Sequence, residues 1–481
     1  MATEQEETAA RPGPGTAAGP GGADGAAGSA GAGGAGESGG AGATAEPGGS
    51  AAEGSGGPAA QGSGSAAKRA IVGRLSWGLA DQAVCSLTNF AVGIYVARAL
   101  GLAAFGVFSL AWVTYGVVLG VSRGLASDPL VVRFSGVPHD QWRTAAARAS
   151  GTALGVGCAI GAVCGVVGLA VGGRVGPAFA ALGVVLPGLL LQDAWRFSFF
   201  AAGAGRKACL NDLLGGLALI PAMLVADRLG HVAAFVLAWG AAAAVAAGYG
   251  CLQSGIRPRV AGARGWLRAH RDLGYRYLIE NVGVSGAAQL RAYGLGVIVG
   301  VGAVGVIRGS ELLLGPFLAV LMGLSLVTVA EAARVLRQAP HRLRLFCLLL
   351  GGGQALGALL WGAALLLVPD GAGELVLGDV WHSASDLIVP AALGVAGASL
   401  GVGASAGLRA LAAARHSLRC QLIASTCYVG GGLGGAAVAG TVGSAWGVAA
   451  ATVSSSAVWW LHLHAALREH QHRSIREVRT S

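Results

Sequence analysis

Apolar stretches long enough to cross a membrane follow one another along most of this chain. Between Trp77 and Leu467 there are about twelve, each of about twenty residues, the length at which an α-helix spans a bilayer. We therefore predict an all-α polytopic membrane protein. The predicted spans are 76–97, 102–122, 149–171, 177–196, 209–226, 231–252, 277–299, 304–331, 343–368, 384–407, 418–440 and 443–466.

Basic residues divide the gaps between these spans into two kinds. Most of the 33 Lys and Arg residues fall before the first span, in every second gap after it, and behind the last span. Because positive charge concentrates on the cytoplasmic side of membrane proteins, this pattern predicts a protein of the cell membrane with both termini in the cytoplasm. Four basic residues are assigned to the outer side: Arg98, Arg174, Arg228 and, just inside the start of the predicted span 304–331, Arg308.

Composition supports the membrane assignment, because 54% of the residues are hydrophobic and only 12% are charged. The formal net charge of +10 does not indicate a nucleic-acid partner. The basic residues lie in short cytoplasmic connections, where we expect the headgroups of anionic phospholipids to attract them. Residues 1–67 are almost wholly small and polar, so we predict a disordered tail there.

An internal repeat appears when the sequence is displaced by 199 residues. Asp81 then falls on Glu280, Gly101 on Gly300 and Gly106 on Gly305. An acidic residue near the start of a membrane helix is costly, so its occurrence twice in register indicates duplication. Six spans per repeat give two halves of the same orientation, with a substrate site expected between them. The predicted units are six-helix bundles at 68–252 and 277–467 around a central cavity, a basic cytoplasmic linker at 253–276 and a basic cytoplasmic tail at 468–481.

The linker contains Trp266, Leu267 and Tyr275 among its arginines, which predicts a segment lying on the cytoplasmic membrane surface.

In the third span, Gly157, Gly161 and Gly165 form a row that lets another helix approach closely. That helix could belong to the same chain or to a second copy. The eight cysteines form no Cys-x-x-Cys pair, and we predict no metal site, cofactor or catalytic residue.

Several motifs resemble those of a known transporter family. They are 87–90 (Leu-Thr-Asn-Phe), 96–101 (Val-Ala-Arg-Ala-Leu-Gly), 105–108 (Phe-Gly-Val-Phe) and 377–381 (Leu-Gly-Asp-Val-Trp). The sequence is similar here to Wzx-type polysaccharide exporters of the multidrug/oligosaccharidyl-lipid/polysaccharide (MOP) superfamily, over about residues 70–467. The resemblance implies a V-shaped cavity lined mainly by helices 1, 2, 7 and 8. It also implies a lipid-linked saccharide as substrate, with the lipid tail left in the membrane.

Arg291 is the sharpest candidate for substrate binding, since a guanidinium near the middle of a span costs at least about 2.5 kcal/mol unless it faces protein or water. It could bind the diphosphate of a polyprenyl-diphosphate carrier, because guanidinium groups grip phosphate oxygens in two places. It could instead form a buried ion pair. Glu280 lies too far along the helix for direct contact, which leaves Glu311 as the candidate partner.

Asp81 and Glu280 occupy matching places near the cytoplasmic ends of the first and seventh spans. Together with Glu311 they are candidates for coupling transport to a gradient of H⁺ or Na⁺. The alternative is pairing with Arg74 and Arg276. We expect Asp193, Arg196 and Asp212, at cytoplasmic helix ends, to be interfacial.

Asn89, Gln289 and Tyr293 are polar side chains at membrane depth. They could bind sugar hydroxyls in the cavity or join helices to one another.

The sequence therefore predicts translocation of a lipid-linked oligosaccharide or polysaccharide precursor by alternating access, coupled to an ion gradient. A cation-coupled multidrug exporter is the alternative within transport, and a membrane-embedded polysaccharide polymerase or ligase is the alternative from another class. An enzyme of that kind needs a sizeable outer loop with catalytic groups, whereas the longest outer loop, 368–383, is short. Enzymes of polysaccharide biosynthesis are further candidate partners.

Overall fold

The apolar stretches form helices, because a backbone inside a bilayer must satisfy its own hydrogen bonds and an α-helix does so within one segment. The computed structural model describes residues 60–480, with side chains for 76–470 except 280, 282–285, 322–327, 329, 330 and 414. Most of the predicted tail, 1–59, lies outside the described residues. The helices are α1 (Ala60–Ser122), α2 (Asp128–Phe134), α3 (His139–Val171), α4 (Val175–Ala201), α5 (Gly205–Leu229), α6 (Val232–Ser254), α7 (Ala263–Ala269), α8 (Arg271–Ile298), α9 (Val301–Gln338), α10 (Leu343–Leu366), α11 (Asp370–Leu377), α12 (Val380–Ser385), α13 (Ile388–Ala410) and α14 (Ala414–Thr480).

The predicted number of spans is confirmed. Within the described part of the chain, nine helical stretches are long and apolar enough to cross a membrane. Two of them hold two spans each, since α1 is broken at Gly101 and α14 at Ala439 and Gly440. The remaining predicted span, 277–299, lies in α8. Over residues 60–480 the chain is thus a twelve-span, all-helical membrane protein.

Two glycines related by the repeat turn the chain at equivalent places. Gly101 separates the two spans of α1 and has φ of 68°, and Gly300 precedes α9 with φ of 115°. Residues with a Cβ rarely adopt such positive values. The same turn in each half supports the parallel repeat.

Helix ends extend beyond the predicted spans. α3 begins at His139, ahead of the predicted 149, and α8 begins at Arg271, inside the predicted linker. The length of an apolar stretch corresponds to the thickness of the hydrocarbon layer of the membrane. The helix itself can continue through polar residues on either side of that layer.

The helices form two bundles, α1–α6 and α8–α14. In the first, the glycine row of α3 packs on α4: a Cβ on Gly157 would lie 2.7 Å from the Cα of Pro187, and one on Gly161 would collide with the carbonyl oxygen of Gly183. The row therefore packs helices of the same chain. In the second bundle, Gly431 and Gly447 likewise bring the two limbs of α14 together.

The linker between the bundles buries one of its aromatic side chains. Trp266 is only 2% exposed, and its indole nitrogen donates a hydrogen bond to the carbonyl oxygen of Leu125 at 3.2 Å. Its ring packs against His270 and Phe134. Trp266 therefore packs into the first bundle, which offers it an apolar site and a backbone acceptor, and the placement of the linker on the cytoplasmic membrane surface stays a prediction. Tyr275 is exposed.

The bundles meet along a seam between the second span, in α1, and helices α8 and α9. The hydroxyls of Thr114 and Tyr293 are 2.7 Å apart, and Asn281 Nδ2 donates to Asp128 Oδ2 at 2.8 Å. We call the end of the molecule with Gly101, Gly300 and α11–α12 the Gly101 end, and the opposite end the Arg123 end. At the Gly101 end one apolar core joins both bundles, with members that include Val96, Phe105, Leu312, Leu377 and Trp381.

Candidate functional site

Five charged side chains from four elements meet inside the first bundle, at the Arg123 end. None of the five residues is more than 7% exposed. We call this group the five-charge cluster: Asp81 from α1, Arg123 from a π-helical turn (Arg123–Ser127), Asp193 and Arg196 from α4, and Asp212 from α5.

Two arginines connect the three carboxylates. Arg123 grips Asp193 in two places, with Nη2 2.7 Å from Oδ1 and Nε 3.1 Å from Oδ2. Arg196 bridges the other two, because its Nη2 lies 2.7 Å from Asp81 Oδ2 and its Nε lies 3.2 Å from Asp212 Oδ2. Gln192 donates a further hydrogen bond to Asp212 Oδ1 at 2.7 Å. Buried charges need this degree of pairing, because ion pairs and hydrogen bonds must offset the free energy of removing the charges from water.

The pairing leaves one carboxylate in excess. With all five groups ionised, three negative charges face two positive ones. Asp81 Oδ1 is buried and has no hydrogen-bond partner among the described residues. An extra carboxylate with a free oxygen can take up a proton or a monovalent cation while the arginines keep the other two acids as partners.

A cavity of about 110 Å³ adjoins the cluster, and four of the five charged residues contribute to its wall. Three aromatic residues contribute to the remaining wall. The Trp112 and Trp239 rings stack with centroids 4.7 Å apart, and Tyr115 meets Trp239 edge-on at 4.8 Å. Carboxylates beside aromatic faces suit a small cation.

A second charged group lies in the second bundle, towards the Gly101 end, and reaches the seam through Arg308. Arg291 Nη2 is 3.3 Å from Glu311 Oε1, and Arg308 Nη1 is 3.3 Å from Glu311 Oε2. Arg291 also lies over the ring of Tyr428 in α14, and Arg308 lies over Trp112 in the first bundle. We call these three residues the Arg–Glu–Arg bridge. Two guanidinium groups share one carboxylate, so the bridge carries one excess positive charge.

A second cavity, of about 90 Å³, lies within the C-terminal bundle. Its polar wall consists of hydroxyl and amide side chains: Ser405, Gln421, Ser425, Tyr428, Thr452, Ser455 and Ser456. Tyr428 connects it to the bridge through Arg291. Among the residues that the structure describes, its lining contains no charged group, so it can hold water or small neutral polar groups.

Arg291 is buried, with 6% exposure, and pairs with Glu311. Of the two alternatives that the sequence leaves open, this conformation shows the ion pair. A substrate role for Arg291 stays a prediction.

The other predicted site residues do not form one group. Asn89 lines the first cavity, while Gln289 and Tyr293 face the second span across the seam. Helical geometry separates these two from Arg291, because residues two apart point about 200° from each other. Asp81 pairs with Arg196, whereas the side chains of Glu280 and Arg74 lie outside the described residues.

Five residues of these two groups have roles that the sequence did not indicate: Arg123, Asp193, Arg196, Asp212 and Arg308. The interfacial placement expected for Asp193, Arg196 and Asp212 is wrong, since all three are buried in the five-charge cluster. Arg308 does not lie in an outside loop, because α9 begins at Val301 and carries it into the seam. A nearby acid at helical spacing, Glu311, is the signal that could have identified it.

Known structures share this architecture. A multidrug resistance MATE family transporter of the MOP superfamily, in its inward-facing conformation, has a TM-score of 0.63 and 14% identity, covering 80% of this chain and 95% of that chain. The lipid II flippase MurJ, in an inward closed conformation, has a TM-score of 0.58 and 8% identity, with 81% and 87% covered. A MOP superfamily transporter from Pyrococcus furiosus has a TM-score of 0.51 and 16% identity, with 83% and 96% covered.

No family model matches the sequence, and no curated protein does. At such low identities the similarity shows the fold. The chain has the two-bundle, twelve-helix fold of these MOP superfamily proteins.

Proposed function

We propose that this protein carries a lipid-linked oligosaccharide or polysaccharide precursor across the cell membrane by alternating access, driven by an ion gradient. The fold supports transport, because solved proteins with the same arrangement are named as transporters and as a lipid flippase. Two parallel bundles joined along one seam can rock against each other around a site between them.

The Arg–Glu–Arg bridge is the observation on which the choice of substrate rests. A pair of arginines with one acid, of which Arg308 reaches the contact between the bundles, has an excess of positive charge and many N–H donors. The diphosphate that links a saccharide to its lipid supplies the matching negative charge and acceptor oxygens. Arg291 and Arg308 are therefore the proposed contacts for the diphosphate.

The five-charge cluster is the proposed coupling site. Its excess carboxylate, with the free oxygen of Asp81, would bind H⁺ or Na⁺ from one side and release it on the other. Because the linker and its exposed arginines lie at the Arg123 end, we place that end and both termini in the cytoplasm, beside anionic phospholipids.

Proteoliposomes containing a fluorescent polyprenyl-diphosphate saccharide test the proposal, with a membrane-impermeant quencher reporting the leaflet. We expect wild type to equilibrate the lipid between leaflets and Arg291→Ala to lose this activity. Arg174→Ala removes an exposed arginine at the same end and serves as the matched control. Equal rates in wild type and protein-free vesicles would exclude a flippase for this substrate.

One observation favours a second function, a cation-coupled exporter of amphipathic drugs. The wall of the first cavity carries aromatic rings and the carboxylates of Asp193 and Asp212 beside their arginine partners, and such aromatic faces suit an organic cation. Gradient-driven efflux of a cationic dye by wild type, lost in Trp239→Ala and unaffected by Arg291→Ala, would favour this function over the flippase.

A further inference from the structure

Glu311 is held between two arginines, at the same distance from each. Both N–O separations are 3.3 Å, whereas charge-assisted hydrogen bonds of this kind are usually about 2.7–2.9 Å. The Glu311 side chain is 14% exposed, so little water reaches it. One carboxylate therefore serves two guanidinium groups.

Arg291 retains an unused donor. Its Nε is buried and has no hydrogen-bond partner among the described residues. A buried donor without an acceptor destabilises a protein by about 1–3 kcal/mol. An acceptor that binds to this Nε would remove that destabilisation. The bundle also leaves room for this side chain: a Cβ on Gly432 would lie 2.7 Å from Arg291 Cδ.

Arg308 lies on the boundary between the bundles. It extends from α9, in the second bundle, over the Trp112 ring of the first, with 5.7 Å between the guanidinium carbon and the ring centroid. Any motion that parts the bundles at this point removes Trp112 from one face of Arg308. The guanidinium then becomes accessible from the space between the bundles.

We propose that Arg291 and Arg308 form a binding site for a phosphate or diphosphate ester, and that Glu311 occupies this site while no substrate is bound. The inference rests on the proposed function, which supplies a diphosphate as ligand. A diphosphate offers more acceptor oxygens and more negative charge than one carboxylate, and it can reach the free Nε of Arg291. The substrate thus competes with Glu311 for the two arginines. A neutral ligand cannot displace the Glu311 carboxylate.

Titration of inorganic pyrophosphate into the full-length protein in phosphatidylcholine nanodiscs tests this competition, with calorimetry and thermal unfolding as readouts. Glu311→Gln keeps the shape of the side chain and removes its charge. We expect this variant to bind pyrophosphate about tenfold more tightly than wild type. We also expect it to be less stable than wild type without the anion and to gain more thermal stability on adding it.

The arginine variants complete the test. Arg291→Ala and Arg308→Ala should each weaken pyrophosphate binding about tenfold, and Arg174→Ala should not. If Glu311→Gln does not fold, Gly432→Ala displaces the Arg291 stem and should weaken binding, whereas Gly430→Ala points into open space and should not. Binding that is no tighter in a folded Glu311→Gln, or that is indifferent to both arginines, overturns the inference.

The source of the anion is resolved by competition. Displacement of pyrophosphate by polyprenyl diphosphate, but not by phosphatidylglycerol at the same concentration, assigns the site to the lipid carrier. Equal displacement by phosphatidylglycerol overturns that assignment and leaves a site for phospholipid headgroups. Flipping and anion binding are separate readouts, so a protein that binds pyrophosphate as described yet flips no saccharide keeps this site and loses the proposed function.

Discussion

Gly106 and Gly305, which the 199-residue repeat relates to each other, lie directly against one another where the two bundles meet. A Cβ on Gly305 would lie 3.0 Å from the backbone nitrogen of Gly106 and 3.2 Å from its Cα. A Cβ on Gly106 would collide with the carbonyl oxygen of Val301. The Gly101 end is therefore closed by backbone contact, which a side chain at either position prevents.

Gly106→Ala should open this end of the molecule. Its methyl group meets backbone rather than a flexible side chain, and overpacking of this kind costs the closed state about 1–3 kcal/mol. Pulsed electron resonance between spin labels at positions 174 and 371, one on each bundle, should show a larger population at long distance. Gly302→Ala, whose Cβ meets nothing within 4 Å, is the control. Identical distance distributions in the two variants would contradict the role given to this contact.

The sequence was sufficient for the architecture and insufficient for the site, for one physical reason. Hydrophobic length and charge alternation are local signals, and they predicted twelve spans and the repeat. The partners of the buried charges are distant in sequence: Asp193 lies 70 positions from Arg123, and Arg196 lies 115 from Asp81. Arginine at a span end looks the same in sequence whether it faces headgroups or a buried acid. Only helix packing distinguishes the two cases.

Asp193→Asn should destabilise the protein strongly. It leaves the buried guanidinium of Arg123 without its bidentate carboxylate, which costs about 3 kcal/mol or more. Asp272→Asn breaks an ion pair of similar length with Arg133, but both side chains there are largely exposed, so the loss is about 0–1 kcal/mol. Thermal unfolding in detergent compares the two variants, and an equal fall in Tm would argue against a tightly paired cluster.

The proposed orientation predicts which glycines are accessible from outside the cell. Gly265 lies in the linker at the Arg123 end and Gly371 in α11 at the Gly101 end, and a Cβ at either position meets nothing within 4 Å. In a background without cysteine, Gly371→Cys should react with an impermeant maleimide on intact cells. Gly265→Cys should react only after the cells are permeabilised. The opposite result would reverse the topology and place the basic linker outside.

Asp81→Asn should uncouple transport from the gradient while leaving the bundle folded. The substitution removes the excess negative charge, yet Arg196 keeps Asp212 and Arg123 keeps Asp193, so no guanidinium is left alone. Without a carboxylate to accept it, the ion cannot bind, and substrate flux in proteoliposomes should no longer respond to an imposed pH or Na⁺ gradient. Asp379→Asn changes an exposed acid at the opposite end and should respond as wild type does. A gradient response retained in Asp81→Asn would move the coupling site away from the five-charge cluster, with Glu280 and Glu311 as the remaining candidates.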